Sequence, residues 1–216
     1  MRRLLLVLGL ALLAACGKDA TPPTPVGSVT LPHDTATLVP TATLQLTPTV
    51  KDIQGNVVTR ALTYTSSNIS LATVSADGLV TAFSTGVVTI TATSESKSAS
   101  LQVTIKDGAI VGATGGTVTG LSGTAILTIP AGALPSNTMI TMEPALDAPL
   151  SPRLVTGTAV NIGPPNLQFA TSAQLQLKYG VAQVPTGASE QLLRIQRVLS
   201  GAWQPVDGST VDPVGK

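Results

Sequence analysis

Between Val29 and Ile105 apolar and polar residues alternate with a period of two. Leu44, Leu46 and, past Pro48, Val50 alternate with Gln45, Thr47 and Thr49. Val88, Ile90 and Ala92 alternate with Thr89, Thr91 and Thr93, and Leu101, Val103 and Ile105 with Gln102 and Thr104. Leu62, Tyr64 and Ser66 share one face of a further segment. Such patterning predicts antiparallel strands with one wet face. Gln54-Gly55-Asn56 supplies a turn before Val57 and Val58, and Ala76-Asp77-Gly78 a turn between Thr73-Val74-Ser75 and Leu79-Val80-Thr81-Ala82. Roughly seven short strands in about eighty residues predict a β-sandwich.

Beyond Lys106-Asp107-Gly108 the pattern restarts after a glycine-rich stretch, Gly112 to Gly123, which reads as turns between strands because it lacks the Gly-Lys-Ser/Thr ending of a phosphate loop. Strands are predicted at Ala125–Ile129, Met139–Met142, Val155–Ile162 and Ala173–Tyr179. In Pro130-Ala131-Gly132-Ala133 the Pro and Gly fit a type I turn with Pro at its second position. Leu192, Ile195 and Leu199 fit a helical stripe, whereas Leu193, Ile195 and Leu199 fit a strand with Arg197 misplaced; Ser200-Gly201 ahead of Trp203-Gln204-Pro205-Val206 favours a hairpin, and strands are chosen.

The N-terminus has another logic. Arg2 and Arg3 precede an apolar run, Leu4 to Leu13, too short to span a bilayer, and Ala14 and Ala15 are the small residues a signal peptidase admits. Leu13-Ala14-Ala15-Cys16 resembles the lipobox of bacterial lipoproteins. The resemblance implies cleavage between Ala15 and Cys16 and a diacylglyceryl group on the Cys16 thiol, which is the nucleophile that takes the lipid; the alternative is a free cysteine in a signal cut elsewhere. Acyl chains contribute ~0.8 kcal/mol per buried CH₂, so several make anchoring effectively permanent. Gly17 stands where Asp often marks retention at the inner membrane, which resembles outer-membrane sorting in a host with two membranes. Pro22, Pro23 and Pro25 within Lys18 to Ser28 block helix and central strand and favour a semi-extended tether.

Two further resemblances rest on the folded segments. LTYTSSNISLATVSADGLVTAFSTGVVTITATSESKSASLQVTI, with the preceding TLQLTPTVKDIQGNVV, resembles the bacterial immunoglobulin-like domain, group 2, over roughly Val26 to Lys106; Tyr64 stands where that family usually has Trp. Its members are spacer and adhesion modules of bacterial surface proteins without shared catalytic residues, so the resemblance implies a fold and a location, not a ligand. GGTV at Gly115–Val118, LTIPAGAL at Leu127–Leu134 and NLQFATSAQLQLKY at Asn166–Tyr179 resemble the ZU-type domain of zonula occludens proteins, ankyrins and netrin receptors, from about Ile110 to Val206. Bacterial members usually continue with one more strand, which leaves truncation of this unit at its C-terminus an open alternative. The expected organisation is a signal peptide at 1–15, a lipidated Cys16 and Pro-rich tether at 16–28, an Ig-like domain at 29–106 and a ZU-type β-sandwich at 109–216: an all-β chain of two consecutive sandwiches.

Composition narrows the chemistry. Cys16 is the single cysteine, so no disulfide forms within the chain. Charged residues are 11% of the chain, and removing the leader takes away Arg2 and Arg3 and leaves it close to neutral, which argues against nucleic acid as a partner. Aromatics are 2%, a poor supply for stacking sugars or bases, and Trp203 suits a core or hairpin role better than a carbohydrate platform. His33, the one histidine, sits beside Asp34 and reads as a surface pair at the edge of the first strand, because metal sites need more convergent ligands. No G-x-S-x-G is present, Cys16 is committed to lipid, and the acids Asp19, Asp34, Asp52, Asp77 and Asp107 each sit by a turn or linker rather than in a pair. Calcium could use Asp52, Asn56 or Asp77 with carbonyls, but turn formation explains all three.

The expectation is therefore a non-catalytic, surface-displayed lipoprotein without cofactor, metal or small-molecule substrate. It would be held to the membrane through Cys16, at the outer membrane or cell surface rather than the inner membrane, and would present its sandwiches to a surface protein or polysaccharide. An envelope-assembly or secretion accessory that binds another envelope component is the alternative.

Overall fold

The structure, a computed structural model, describes residues 23–212. Seventeen strands account for the regular structure among them, and the only helical pieces are three short 3-10 turns. In chain order the strands are β1 Val26–Thr30, β2 Thr35–Leu38, β3 Thr43–Gln45, β4 Thr49–Asp52, β5 Thr63–Ser66, β6 Ala72–Val74, β7 Leu79–Ala82, β8 Gly86–Ser94 and β9 Lys97–Ile105. Then come β10 Gly108–Val111, β11 Gly116–Gly120, β12 Ala125–Ile129, β13 Thr138–Pro144, β14 Val160–Gly163, β15 Gln174–Leu177, β16 Gln196–Leu199 and β17 Ala202–Pro205. No helix among the described residues is long and apolar enough to cross a membrane.

The longest pairing is the β8–β9 hairpin, in register from Gly86↔Ile105 to Ser94↔Lys97. Its inward residues Val88, Ile90, Ala92, Leu101, Val103 and Ile105 are all buried, as period-two alternation requires. β5 pairs antiparallel on the far side of β8, and β2 pairs with β9 in parallel, Thr35↔Gln102 to Leu38↔Ile105. A second sheet, β3-β7-β6, carries Ala72, Val80 and Ala82 into the same core, with Leu38, Val39, Ala42 and Leu46 closing it. β1 and β4 form a separate ribbon over Val26, Val29 and Val50, backed by Val58, Leu62 and Ala99. The Ala76-Asp77-Gly78 turn joins β6 to β7 as the pattern predicts: the Gly78 N–H donates to the Ser75 carbonyl at 3.0 Å and the Ser75 N–H to the Leu79 carbonyl at 2.9 Å. Tyr64, half-buried, packs against this core.

The second half repeats the layered plan with its own buried set. β10-β13-β14 and β11-β12-β15 face one another across Val111, Val118, Leu127, Ile129, Ile140 and Met142. Its outer strands are less well covered, and Val160, Ile162, Leu175 and Leu177 stay half-buried. The β16–β17 hairpin packs little: the one side chain of its eight residues that is not exposed is Trp203, whose Nε1–H donates to the Pro149 carbonyl at 3.0 Å.

Several expectations need correction. β1 starts at Val26, inside the stretch read as tether, because Val26 and Ser28 pair with Asp52 and Lys51 of β4. Gly116–Gly120 is a strand, not a run of turns; without bulky alternation it is legible only through Val118, which is buried, and through its pairing with β12. The strand expected at Val155–Ile162 is confined to Val160–Gly163, since Thr158 folds back with its N–H on the Val155 carbonyl at 3.3 Å. Ala173–Tyr179 shortens to Gln174–Leu177, and the segment 192–199 is strand only from Gln196, Leu192 closing a 3-10 turn. Pro130 holds the first position of its turn, with the Ala133 N–H on its carbonyl at 3.2 Å, and Gly132 holds the third at φ 76°. A type II turn requires that left-handed third residue and a type I turn does not.

Ile90 is fully buried between the two sheets of the first core. Ile90→Ala should lower unfolding free energy by about 2–5 kcal/mol through lost transfer energy and the cavity left behind, read as an earlier urea midpoint at unchanged slope.

Candidate functional site

The charged side chains are few, and four of them sit at the two ends of the first sandwich. At one end, where β1 begins, the Glu95 carboxylate in the β8–β9 turn accepts the Val26 N–H at 2.8 Å. Arg60 donates to the Thr24 carbonyl at 2.9 Å and lies 3.7 Å from Glu95. The Ile53 N–H adds a bond to the Pro25 carbonyl at 3.1 Å. Three consecutive residues ahead of and inside β1 are therefore held by partners far away in sequence. Arg60 suits this place because its planar fork reaches a carbonyl and a carboxylate together.

At the other end only Lys106 and Asp107 separate β9 from β10. The Lys106 ammonium meets the Glu143 carboxylate at 2.7 Å, the Lys106 backbone N–H donates to the Leu38 carbonyl at 2.9 Å, and the Asp107 carbonyl accepts the Met142 N–H at 2.9 Å. Met139 packs against the first core, so the two halves touch as well as follow one another. Gly108 has φ +155°, and a Cβ there would fall 2.1 Å from the Ile140 carbonyl oxygen and 2.9 Å from Val39 Cγ1. A shallow groove of ≈ 240 Å³ lies beside this junction, lined by Val87, Ile105, Lys106, Met142 and Glu143 among others.

The sequence candidates fall elsewhere. Ala15 and Cys16, the cleavage and lipidation positions, lie outside the described residues, as does Asp19. His33 and Asp34 are exposed in the bend between β1 and β2, where the Asp34 carbonyl accepts the Gln102 N–H at 2.9 Å. Asp52 and Asn56 do meet. One Asp52 carboxylate oxygen accepts the N–H groups of Gln54 and Asn56, both at 2.9 Å, and the other accepts the Asn56 amide at 3.2 Å. Burial disfavours the ionised carboxyl, but the hydrogen bonds from Asn56, Gln54 and Gly55 outweigh it and hold Asp52 below its ordinary value. Its lone pairs are thus spent on closing the turn.

Asp77 sits in a different turn, its carbonyl accepting the Gln45 amide at 2.8 Å. Burial first and the Asp77 charge second push the nearby Tyr64 hydroxyl above its ordinary value. No group of three or more His, Cys, Asp or Glu side chains that could hold a metal occurs among the described residues. A larger apolar groove of ≈ 670 Å³ runs along the 145–159 loop, where Leu146 and Leu150 are almost wholly exposed.

Arg60, Glu95, Lys106 and Glu143 were not singled out from the sequence. Their partners lie 35 or more positions away, and no local spacing announces them. The one available signal was scarcity: in a chain with so few charges, a lone Arg or Glu beside a strand has few alternative partners.

Residues 25–105 match the family model of the bacterial Ig-like domain (group 2). No curated protein matches the chain. Among solved structures, domains 4 and 5 of the S-layer protein SbsC match at 23% identity and a TM-score of 0.35, over 37% of this chain and 51% of that one. Domains 5–6 of the same protein match at 16% identity and 0.37, over 63% and 82%, and domains 1–6 at 15% and 0.38, over 72% and 26%. The chain spans about half the length of the first of these.

Two outcomes follow. Because the folded Asp52 carboxyl titrates below the unfolded value of 3.8, its contribution is fully present above that value and fades as pH falls through the folded one. The gap in urea midpoint between the native chain and Asp52→Ala should be widest near neutrality and should narrow as pH drops below about 4. Gly108→Ala, which sets a Cβ against backbone in a left-handed conformation, should cost about 1–3 kcal/mol, measured as a fall in thermal midpoint.

Proposed function

We propose that this protein is a lipid-anchored, non-catalytic module of the bacterial cell surface that holds two β-sandwich units away from a membrane, as a structural or adhesion element. The observation that carries the reading is the order of its parts. A leader ending in Leu13-Ala14-Ala15-Cys16 is followed by a short proline-rich stretch and then directly by the segment matching a bacterial Ig-like domain, residues 25–105. In this reading Cys16 bears the lipid after cleavage behind Ala15, the stretch up to Pro25 is the tether, and the ZU-type unit beyond Asp107 meets the partner, a surface protein or polysaccharide. The separate buried cores support two units, divided at Lys106 and Asp107. Asp52 is engaged in its turn, and Arg60, Glu95, Lys106 and Glu143 in ion pairs, which supports a role in contact rather than catalysis. The alternative, an accessory that binds another envelope component, draws support from the exposed Leu146 and Leu150, an apolar surface of the kind that mediates protein contact.

Growth of an expressing bacterium with a labelled fatty acid tests the anchor. The chain should carry label and fractionate with membranes, and Cys16→Ser should lose the label and move to the soluble fraction. An unlabelled native chain whose fractionation is indifferent to Cys16→Ser would overturn the proposal.

A further inference from the structure

The first sandwich places its two ends at opposite ends of one strand. Val26, where β1 begins, is bonded to Glu95 in the turn that precedes β9, and β1 packs on β9 with Ala99 in its small core. β2 then runs parallel to the last residues of β9, from Thr35↔Gln102 to Leu38↔Ile105. The chain leaves at Lys106, immediately past the far end of that pair. β1 and β2 thus follow β9 along its nine residues, about 30 Å at the usual rise of a strand.

Tension between the entry and exit points acts on the β2–β9 pair in one specific way. In a parallel pair the start of one strand and the end of the other are at opposite ends. Pulling them apart slides the strands past each other and loads the interstrand bonds side by side. Those bonds include Gln102 N–H to the Asp34 carbonyl and Lys106 N–H to the Leu38 carbonyl, each 2.9 Å, at the two extremities. No bond can be broken first without straining the rest. The antiparallel β8–β9 pair is the internal contrast: Gly86 and Ile105 are direct partners, so pulling at that end opens one rung after another.

We infer that the first unit is a tension-resistant link, in which β2 against β9, assisted at the entry by Glu95 and Arg60, forms a shear clamp between the incoming chain and the second unit. The inference deepens the tethered-module reading by naming the load such a link meets. Its test contains no lipid, so a failure here leaves Cys16 labelling untouched, and a failure of labelling leaves the mechanics standing.

The test holds the full chain, with Cys16→Ser, between two handles at constant force. One version carries attachment thiols from Pro23→Cys and Asp107→Cys, the other from Thr85→Cys and Asp107→Cys. The first geometry should survive roughly tenfold longer or more at the same force, because forced unfolding reports the barrier along the pulled direction. Ala36→Pro adds a second arm. Asp34 and Leu38 turn their carbonyls to β9, so Ala36, two residues from each, turns its backbone the same way and would lose an N–H from the clamp. Ala36→Pro should shorten lifetime in the first geometry more than in the second. Equal lifetimes in the two geometries, or an equal effect of Ala36→Pro on both, would overturn the clamp.

Discussion

The β8–β9 hairpin is the constraint on which the first half depends. Along the middle of its nine pairs it places Val88, Ile90, Ala92, Ala99, Leu101 and Val103 on one face, and both neighbouring strands, β5 and β2, pair along it. A slip of one residue would turn Val88, Ile90, Leu101 and Val103 to water and bring Thr and Gln inward. No disulfide is available to enforce the register, because the chain has one cysteine. The burial pattern and the two-residue Glu95-Ser96 turn fix it.

Polar chemistry in this protein serves connection. Arg60 and Glu95 hold the entry of the first unit, Lys106 and Glu143 its exit, and Asp52 closes the turn after β4. Exposed ion pairs contribute little to stability, since solvent screens them and ordering long side chains costs entropy. Their value here is geometric. Each fixes where a segment enters or leaves a sheet.

The sequence was most informative where the alternation was strict. β8, β9 and the Asp77-Gly78 turn could be read directly, because a buried face demands period two and a left-handed turn residue demands Gly or a near substitute. The second half was harder for the same reason in reverse. Gly116–Gly120 carries a single large inward side chain, Val118, so it looks like loop, and β14 at four residues is too short to mark its own start. The ends of strands depend on pairing partners that the local sequence does not contain; thus β1 reaches back to Val26 only because β4 is there to receive it. Among the candidate residues, the Asp52–Asn56 contact was legible as turn chemistry, whereas the ion pairs at the two ends of the sandwich join segments that only the fold brings together.

The attachment of the last hairpin has an optical consequence. Trp203 is the single indole in the chain, and its half-buried ring ties β17 to the Pro149 carbonyl. Intrinsic tryptophan emission is therefore a private signal of that docking. It would shift when the hairpin lifts, even with both sandwiches intact, and the first sandwich, whose aromatics are Tyr64 and Phe83, would melt without contributing to it.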